Sequence, residues 1–321
     1  MKCKICNSNA EHTSWTAKDM RVSRNEEFTY FQCIHCSCLQ IKKIPKNISV
    51  YYPDNYYSFE KVSTAKHYDR LLKSYLRKTG AFLGTSLKWY GTLTRKVFSL
   101  PPHHEWFYNS GVSFGSRILD VGCGGGSLLL RIWKEGFTNA SGIDPFIPND
   151  INYKNGLKIN KTTLKDLRKD SFFDLIMMHH SLEHIPNQFE AFHHINRLLK
   201  KGGIALIRIP VSKSTAWEHY RTNWIQLDAP RHLFLHSEKS INVLAAKYGL
   251  KIKKVIYDSL VFQFLGSELC KRGILMPDHK SYMKKEGKRI FQKSQLQNWK
   301  MITKELNNKN KGDMACFYFI K

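Results

Sequence analysis

The sequence contains no uninterrupted run of about 18 apolar residues, the length that a membrane-spanning helix requires. Its first residues also lack the apolar segment of a secretory signal. Acidic residues are scarce, with 26 Asp and Glu against 51 Lys and Arg, which gives a net charge of +25. We therefore predict a cytoplasmic protein with anionic partners, and peripheral contact with the anionic inner face of the membrane is an alternative.

Disulfide bonds are not expected, because the cytoplasm keeps thiols reduced. The first 40 residues nevertheless hold most of the eight cysteines, including two C-x-x-C pairs, and four thiolates can close a tetrahedral site around Zn²⁺. We predict a structural zinc module over residues 1–45 with the ligands Cys3, Cys6, Cys33 and Cys36. Cys38, His12 and His35 lie close by in the sequence, so the choice of four ligands stays open at this point.

After residue 115, short apolar segments alternate with amphipathic ones. The alternation indicates a mostly parallel sheet covered by helices, as in Rossmann-like α/β domains. Strands are predicted over 117–122, 140–145, 173–178, 203–210, 250–257 and 314–320, and helices over 127–134 and 188–199. We therefore divide the chain into the zinc module, an aromatic loop with a basic helical linker over 46–110, and a catalytic domain over 111–321.

The first of these strands ends in a glycine-rich turn, Gly122-x-Gly124-x-Gly126, with Asp120 two residues before it. Glycine allows a tight turn and lets a ligand approach the backbone without meeting a Cβ atom. Asp144 ends the second strand, where a carboxylate can accept both hydroxyls of a ribose. The pattern predicts a cofactor that contains a nucleoside. Its glycine spacing differs from the G-x-G-x-x-G of dinucleotide-binding folds.

With the preceding Leu-Asp-Val, this turn resembles motif I of class I S-adenosylmethionine-dependent methyltransferases. Residues 173–186, Phe-Asp-Leu-Ile-Met-Met-His-His-Ser-Leu-Glu-His-Ile-Pro, and the Leu-Leu-Lys-Lys-Gly-Gly of residues 198–203 are similar to later motifs of that family. The resemblance covers about residues 115–210. It implies a Rossmann-like methyltransferase fold with a seven-stranded, mostly parallel sheet and S-adenosylmethionine as the cofactor.

The resemblance also implies which residues contact the cofactor. The glycine turn would hold the methionine end and Asp144 the ribose. The full set is Asp120, Gly122, Cys123, Gly124, Gly126, Asp144, Pro145, Thr163, Leu164 and His179. At the adenine position the chain has Lys-Thr-Thr-Leu in place of the family's usual Gly-Asp, so we expect Thr163 or a backbone amide to supply that contact.

Methyl transfer to oxygen or carbon requires a positioned acceptor and a base that removes a proton. In the family, the acceptor lies over the carboxyl ends of strands four and five, where this fold also places ligands. The catalytic candidates are His180, His232, Glu183 and Arg231. His180 or His232 would be the base, and Arg231 would clamp a phosphate or carboxylate. A structural role in supporting the following helix is the alternative for Glu183 and His184.

The layout of the whole chain resembles nucleotide-sugar C-methyltransferases and methyltransferases of surface-polysaccharide clusters. The shared features are the zinc knuckles, a Tyr-rich loop around residues 51–57 that could act as a lid, and the Trp-x-x-Leu-Asp-x-Pro-Arg-His segment of residues 224–232. This resemblance implies a sugar nucleotide or lipid-linked glycan as substrate. The alternatives are an rRNA or tRNA methyltransferase, with RNA as partner, and a non-catalytic S-adenosylmethionine-binding scaffold.

Overall fold

The structure is a computed structural model that describes residues 1–20, 26–52, 101–168, 170–274 and 290–321. The basic helical segment predicted near residues 65–98 and the tyrosines at positions 56 and 57 lie outside the described residues. Among the described helices, none combines the length and apolar character needed to span a bilayer.

The catalytic part of the chain is built on a sheet of eight strands, which we call the large sheet. In chain order its strands are β4 (Ile118–Val121), β5 (Ala140–Ile143), β6 (Ile151–Asn152), β7 (Lys158–Asn160), β8 (Phe173–His179), β9 (Leu199–Pro210), β11 (Lys251–Tyr257) and β12 (Met314–Ile320). Their spatial order is β11-β12-β9-β8-β4-β5-β7-β6. The sequence predicted six of these strands, and β6 and β7 are additions.

The strand directions confirm the predicted fold class. The strands β9, β8, β4, β5 and β7 run parallel, whereas β12 is inserted antiparallel between β9 and β11. The two-residue β6 pairs antiparallel with β7 at the edge. The family resemblance implied seven strands, and the described sheet has eight. This is a mostly parallel sheet of the class I methyltransferase type, with the first strand, β4, near its centre.

Helices pack on both faces of the large sheet. The described helices are α1 (Pro102–Ser110), α2 (Ser127–Lys134), α3 (Gln188–Leu198), α4 (Thr215–Tyr220), α5 (Glu238–Lys247), α6 (Phe262–Lys271) and α7 (Lys293–Asn308), and there are short 3-10 turns at Ile48–Tyr51, Leu182–His184, Arg221–Asn223 and Ile225–Leu227. Successive residues of a strand face opposite sides of a sheet. Accordingly Leu175 and Met177 join the core beneath α1 and α2, while Ile176 and Met178 join the core beneath α3 and α5.

The N-terminal residues form a second, four-stranded sheet in the order β1-β2-β3-β10. Its strands are β1 (Thr13–Lys18), β2 (Glu27–Gln32), β3 (Leu39–Ile41) and β10 (Phe234–Leu235). The fourth strand therefore comes from the predicted catalytic domain, about 190 residues after β3 in the chain. The Tyr30 hydroxyl adds a hydrogen bond of 2.9 Å to the backbone oxygen of His232.

Arg231 connects the N-terminal residues to the loop that leads into β10. Its guanidinium is buried and donates hydrogen bonds of 2.9 Å to Asp19 and 2.8 Å to Asp228, and another of 2.9 Å to the backbone oxygen of Tyr51. The two carboxylates compensate the charge of the buried cation, which would otherwise carry a large desolvation cost. The N-terminal sheet and the segment around Asp228 are thus held together by buried charges.

We predict that Arg231→Met strongly destabilises the protein, because it removes the buried cation that binds the carboxylates of Asp19 and Asp228. Breaking a buried ion pair from one side costs about 3–5 kcal/mol of unfolding free energy. Chemical denaturation of the two proteins measures the loss. Lys309→Met removes a cation from the exposed pair with Glu305 and is the control; equal losses in both variants would contradict the importance given to Arg231.

Candidate active site

A cavity of about 990 Å³ opens at the carboxyl ends of the parallel strands. Residues that follow β4, β5, β8 and β9 line it, because parallel strands all end at the same edge of the sheet. The antiparallel β12 begins at that edge, so Asp313 and Met314 also line the cavity. The cavity is large enough for both a nucleoside cofactor and a second small molecule.

The glycine turn forms one wall of the cavity at Gly122. Gly122 and Gly126 have φ angles of +73° and +77°, in the left-handed region. A Cβ atom on Gly122 would lie 2.5 Å from Cβ of Ser181, and one on Gly126 would lie 2.2 Å from Cδ1 of Ile159. Both positions therefore require glycine, for backbone conformation and for space.

Asp144 lies across from the turn and lines the cavity. Its two carboxylate oxygens accept hydrogen bonds of 2.8 Å each, from the backbone amides of Gly124 and Phe146. Burial raises the pKa of Asp144, while these hydrogen bonds act in the opposite direction. Burial and then the charge of Asp144 raise the pKa of Asp120 to about 8.

The predicted cofactor residues divide into two groups in the structure. Six of them line the cavity: Gly122, Asp144, Pro145, Thr163, Leu164 and His179. Asp120, Cys123, Gly124 and Gly126 do not. Gly124 acts through its hydrogen bond to Asp144. Direct cofactor contact stays a prediction for all ten residues.

Two cavity-lining residues have surroundings that the sequence did not indicate. Thr163 donates its hydroxyl to Asp166 at 2.6 Å, so its side chain is already engaged at the expected adenine position. The ring of His179 packs against Trp106 of α1, with 4.3 Å between the ring centroids and 32° between the ring planes. Burial lowers the pKa of His179 well below its usual value, so its imidazole is neutral at physiological pH.

The two candidate bases, His180 and His232, both line the cavity. His180 has a positive φ of +53°, and its Nε2 accepts a hydrogen bond of 2.8 Å from Arg208, so that lone pair is occupied. His232 donates its Nδ1–H to the backbone oxygen of Gln226 at 2.6 Å. A neutral imidazole that donates through Nδ1 has its lone pair on Nε2, and burial lowers the pKa of His232, which favours the neutral form. His232 is therefore the better-placed acceptor of a proton.

Glu183 is fully buried beside both histidines. Its Oε1 lies 3.4 Å from Nδ1 of His180 and 3.9 Å from Nε2 of His232. Among the described residues, neither oxygen of Glu183 has a hydrogen-bond partner. His184 follows it and donates Nδ1–H to the backbone oxygen of Arg231 at 3.0 Å.

The structure corrects the assignment of Arg231 as a substrate clamp. Its side chain is buried outside the cavity lining, and Asp19, Asp228 and the backbone of Tyr51 take its N–H groups. A guanidinium committed in this way has too few free donors to hold a phosphate or carboxylate in two places. Arg231 is a structural residue.

Several cavity-lining residues were missed from the sequence. They are Arg208, Phe262, Gln263, Asp313 and Met314. Gln226 and Asp228, also in the lining, lie in the segment 224–232 that the sequence singled out. Arg208 lies beside the predicted site residue His179 at the carboxyl ends of the neighbouring strands β8 and β9. Both strands were predicted, so the sequence could have named Arg208 as a candidate. Asp313 could not, since its position depends on the antiparallel insertion of β12. Tyr52 belongs to the predicted aromatic lid, and its hydroxyl lies 3.1 Å from Nδ1 of His184.

The four predicted zinc ligands come together at the N-terminus. The Sγ atoms of Cys3 and Cys36 are 3.7 Å apart, and those of Cys6 and Cys33 are 3.5 Å apart. A tetrahedral ion with Zn–S bonds of about 2.3 Å separates its sulfur ligands by roughly 3.8 Å, so these four thiols fit one. Two donors, Gln40 Nε2 at 3.1 Å and the Ile5 amide at 3.4 Å, point at the Cys3 sulfur, as expected for a thiolate.

The three other residues that the sequence left open have different surroundings. Cys38 is buried outside this four-thiol cluster, and burial raises its pKa. His12 stacks on Phe31 with 5.2 Å between the ring centroids. Nδ1 of His35 lies 3.4 Å from Lys239 Nζ. The four-cysteine cluster is thus compatible with a small zinc module without them.

Comparison with known proteins identifies similar sequences. The family described as "Methyltransferase domain" matches residues 67–255, more than half of the chain. The ubiquinone biosynthesis O-methyltransferase of Rickettsia typhi is 35% identical over 98 residues, which cover 28% of this chain and 39% of that protein. The corresponding protein of Rickettsia conorii is 28% identical over 165 residues, 47% of this chain and 56% of its own length. This chain therefore matches only about two fifths to a little over half of these curated relatives.

Solved structures with a similar chain path include two methyltransferases. A SAM-dependent methyltransferase from Archaeoglobus fulgidus has a TM-score of 0.42 and 16% identity, and it covers 72% of this chain and 100% of its own. A SAM-dependent methyltransferase from Thermotoga maritima has a TM-score of 0.42 and 17% identity, with 80% of this chain and 97% of its own covered. Likeness at this level says nothing about substrates.

We predict that Asp144→Ala and Asp144→Asn both lose affinity for S-adenosylhomocysteine, by roughly 10²-fold or more, because a charged acceptor for two ribose hydroxyls is removed. Calorimetric titration measures the affinity, and circular dichroism checks the fold. Asp170→Ala removes an exposed carboxylate and is the control. Normal affinity in both folded Asp144 variants would refute the ribose assignment.

For the four-cysteine cluster, we predict that Cys33→Ser lowers the zinc content by about one ion per chain, since a closed tetrahedral site needs all four thiolates. Cys38→Ser should keep its zinc. Elemental analysis of the purified proteins measures both. Equal zinc content in the two variants would remove Cys33 from the ligand set.

Proposed function

Because the chain belongs to the methyltransferase domain family, we propose that it transfers the methyl group of S-adenosylmethionine to an acceptor bound in the same cavity. The observation that carries the proposal is a cavity that joins a glycine turn and Asp144 at one end to His180 and His232 at the other, with the buried Glu183 beside these histidines. The first end has the chemistry of a nucleoside site, and the second has the chemistry of proton removal.

The end with the glycine turn and Asp144, which we call the donor end because it would hold the methyl donor, would bind the cofactor through backbone and carboxylate groups. Gly122 lets the backbone approach the methionine part, and Asp144 accepts from the ribose. Leu164 and Phe146 supply apolar surface for the adenine ring. When bound, S-adenosylmethionine supplies an electrophilic methyl group on a positively charged sulfur.

The end with His180 and His232, which we call the acceptor end because it would hold the methyl acceptor, must activate the attacking atom of that acceptor. As the acceptor oxygen or carbon forms a bond to the methyl carbon, the C–S bond breaks with its electron pair left on sulfur, and the acceptor proton leaves. We assign that activation to His232 and Glu183, because the Nε2 lone pair of His232 and the unpaired carboxylate of Glu183 lie 3.9 Å apart beside the cavity. His180, with Nε2 bound to Arg208, would orient the acceptor.

For the acceptor itself we propose a sugar within a nucleotide-linked or lipid-linked glycan, as in surface-polysaccharide synthesis. A row of hydrogen-bonding side chains supports a polyhydroxylated ligand: Arg208, Gln226, Asp228, Gln263 and Asp313 all line the acceptor end. The net charge of +25 suits a diphosphate group or the anionic face of the cytoplasmic membrane.

A phenolic hydroxyl is the second candidate acceptor, favoured by the similarity to ubiquinone biosynthesis O-methyltransferases. Phe262, Leu260 and Met314 give part of the cavity an apolar wall that would suit an aromatic ring. RNA remains a third candidate on charge alone. Turnover assays with nucleotide-sugars, catechols and RNA distinguish the three, and methylation of a catechol but no sugar would overturn the glycan proposal.

For the cysteine cluster we propose a structural role for Zn²⁺. Its four thiols would leave no coordination position open for a substrate or water, so it would support folding. It lies on the same sheet that hydrogen-bonds the backbone of His232 through Tyr30. Zinc would therefore help to hold the acceptor end in place.

We predict that His232→Phe reduces turnover by about 10²-fold or more, the usual contribution of such a group to the reaction. Affinity for S-adenosylhomocysteine should not change, because His232 lies at the acceptor end. His193→Ala, an exposed histidine on α3, is the control. Full turnover by a folded His232→Phe protein on any accepted substrate would contradict the assignment.

A further inference from the structure

The acceptor end brings together one carboxylate and two imidazoles. One ligand atom each from Glu183, His184 and His232 lie within 4.8 Å of one another. Glu183 is fully buried, and neither of its oxygens has a hydrogen-bond partner among the described residues. Nδ1 of His180 lies 3.4 Å from Oε1 of Glu183, a pair that is charged only when His180 is protonated.

The Nδ1 contacts of both histidines place a lone pair on the other ring nitrogen. His232 donates Nδ1–H to the Gln226 carbonyl at 2.6 Å. His184 donates Nδ1–H to the Arg231 carbonyl at 3.0 Å, since a carbonyl can only accept, and the Tyr52 hydroxyl at 3.1 Å from the same nitrogen is a second acceptor. Each neutral ring then has its lone pair on Nε2. Histidines that bind metals are typically held in this way, with the second nitrogen donating to a carbonyl or carboxylate that fixes the tautomer and the ring plane.

A buried carboxylate without a partner is costly, and two imidazole lone pairs beside it cannot relieve the cost. A cation can satisfy all three groups at once. From this convergence of unpaired acceptors, we propose that Glu183, His184 and His232 bind a divalent first-row metal ion at the acceptor end of the cavity. Two histidines and one carboxylate are a common ligand set for such ions and leave positions open for other ligands.

Metal binding requires the three side chains to move closer together. Bonds of about 2.1 Å place tetrahedrally arranged ligand atoms roughly 3.4 Å apart, so ligand atoms that now lie within 4.8 Å of one another must approach by up to about 1.4 Å. Asp228, whose Oδ2 is 3.8 Å from Nε2 of His232, lies within reach as a further ligand.

The described part of the chain holds another buried group with two histidines, formed by His103, His104 and Glu135. There both Nε2 atoms already bond Glu135, at 2.7 Å and 3.0 Å, so it needs no ion.

This inference rests on the proposed function and deepens it. A hydroxyl of the acceptor would bind the ion through oxygen, which lowers the pKa of that hydroxyl. Its proton would leave to water in the open cavity, the oxygen would attack the methyl carbon, and the C–S electron pair would remain on sulfur. The activation assigned to His232 and Glu183 would thus act through the ion, and hydroxyl acceptors would be favoured over carbon.

Binding of Mn²⁺ alone tests the site. Mn²⁺ prefers oxygen and nitrogen ligands, so it does not compete well for the four cysteines. Electron paramagnetic resonance of the 321-residue chain, purified without chelators, should show one bound Mn²⁺ per chain. Glu183→Gln should weaken binding at least tenfold, and the control His193→Ala should leave it unchanged.

Titration of the same samples with S-adenosylhomocysteine separates the possible failures. Normal affinity in Glu183→Gln would show that the variant is folded and that the donor end is intact. Wild-type protein that binds S-adenosylhomocysteine but no Mn²⁺, or a Glu183→Gln variant that binds Mn²⁺ as tightly as wild type, would overturn the metal site and leave the methyltransferase proposal standing. Loss of S-adenosylhomocysteine binding by the wild type would overturn the proposed function itself.

Discussion

The buried cation of Arg231, held between Asp19 and Asp228, links the N-terminal residues to the segment that leads into β10. The N-terminal sheet takes its fourth strand from the segment that follows Arg231, and the same segment carries His232 into the cavity. The acceptor end therefore depends on residues from both ends of the chain. Because buried charges tolerate little displacement without losing their partners, this linkage fixes the acceptor end more firmly than an exposed loop could.

The cavity is asymmetric in how its two ends are built. The donor end depends on backbone geometry: glycines with positive φ and a carboxylate already bound to two amides. The acceptor end depends on side chains whose hydrogen bonds fix tautomers and leave lone pairs unused. The first arrangement suits a cofactor of constant shape, and the second suits chemistry on an acceptor that differs between related enzymes.

Sequence reasoning predicted the local elements of the large sheet well. The helix over 127–134 and the strand before the glycine turn agree with α2 and β4, because apolar periodicity and glycine act over a few residues. It could not predict that β12 enters between β9 and β11, or that a two-residue strand completes the N-terminal sheet, since both depend on pairing between distant segments. Arg231 was misassigned for the same reason: its partner Asp19 lies 212 positions away. The sequence could not decide whether His180 or His232 is the base. That decision needed the hydrogen bond from Arg208 to His180 and the one from His232 to the backbone of Gln226.

The central claim is that the turn at Gly122 and the carboxylate of Asp144 bind an adenosyl cofactor with a sulfur centre and not a redox dinucleotide. Calorimetry with S-adenosylhomocysteine and with NADH, on the same preparation of wild-type protein, tests it directly. The structure predicts saturable heat with S-adenosylhomocysteine at one site per chain and none with NADH. Binding of NADH without binding of S-adenosylhomocysteine would contradict it.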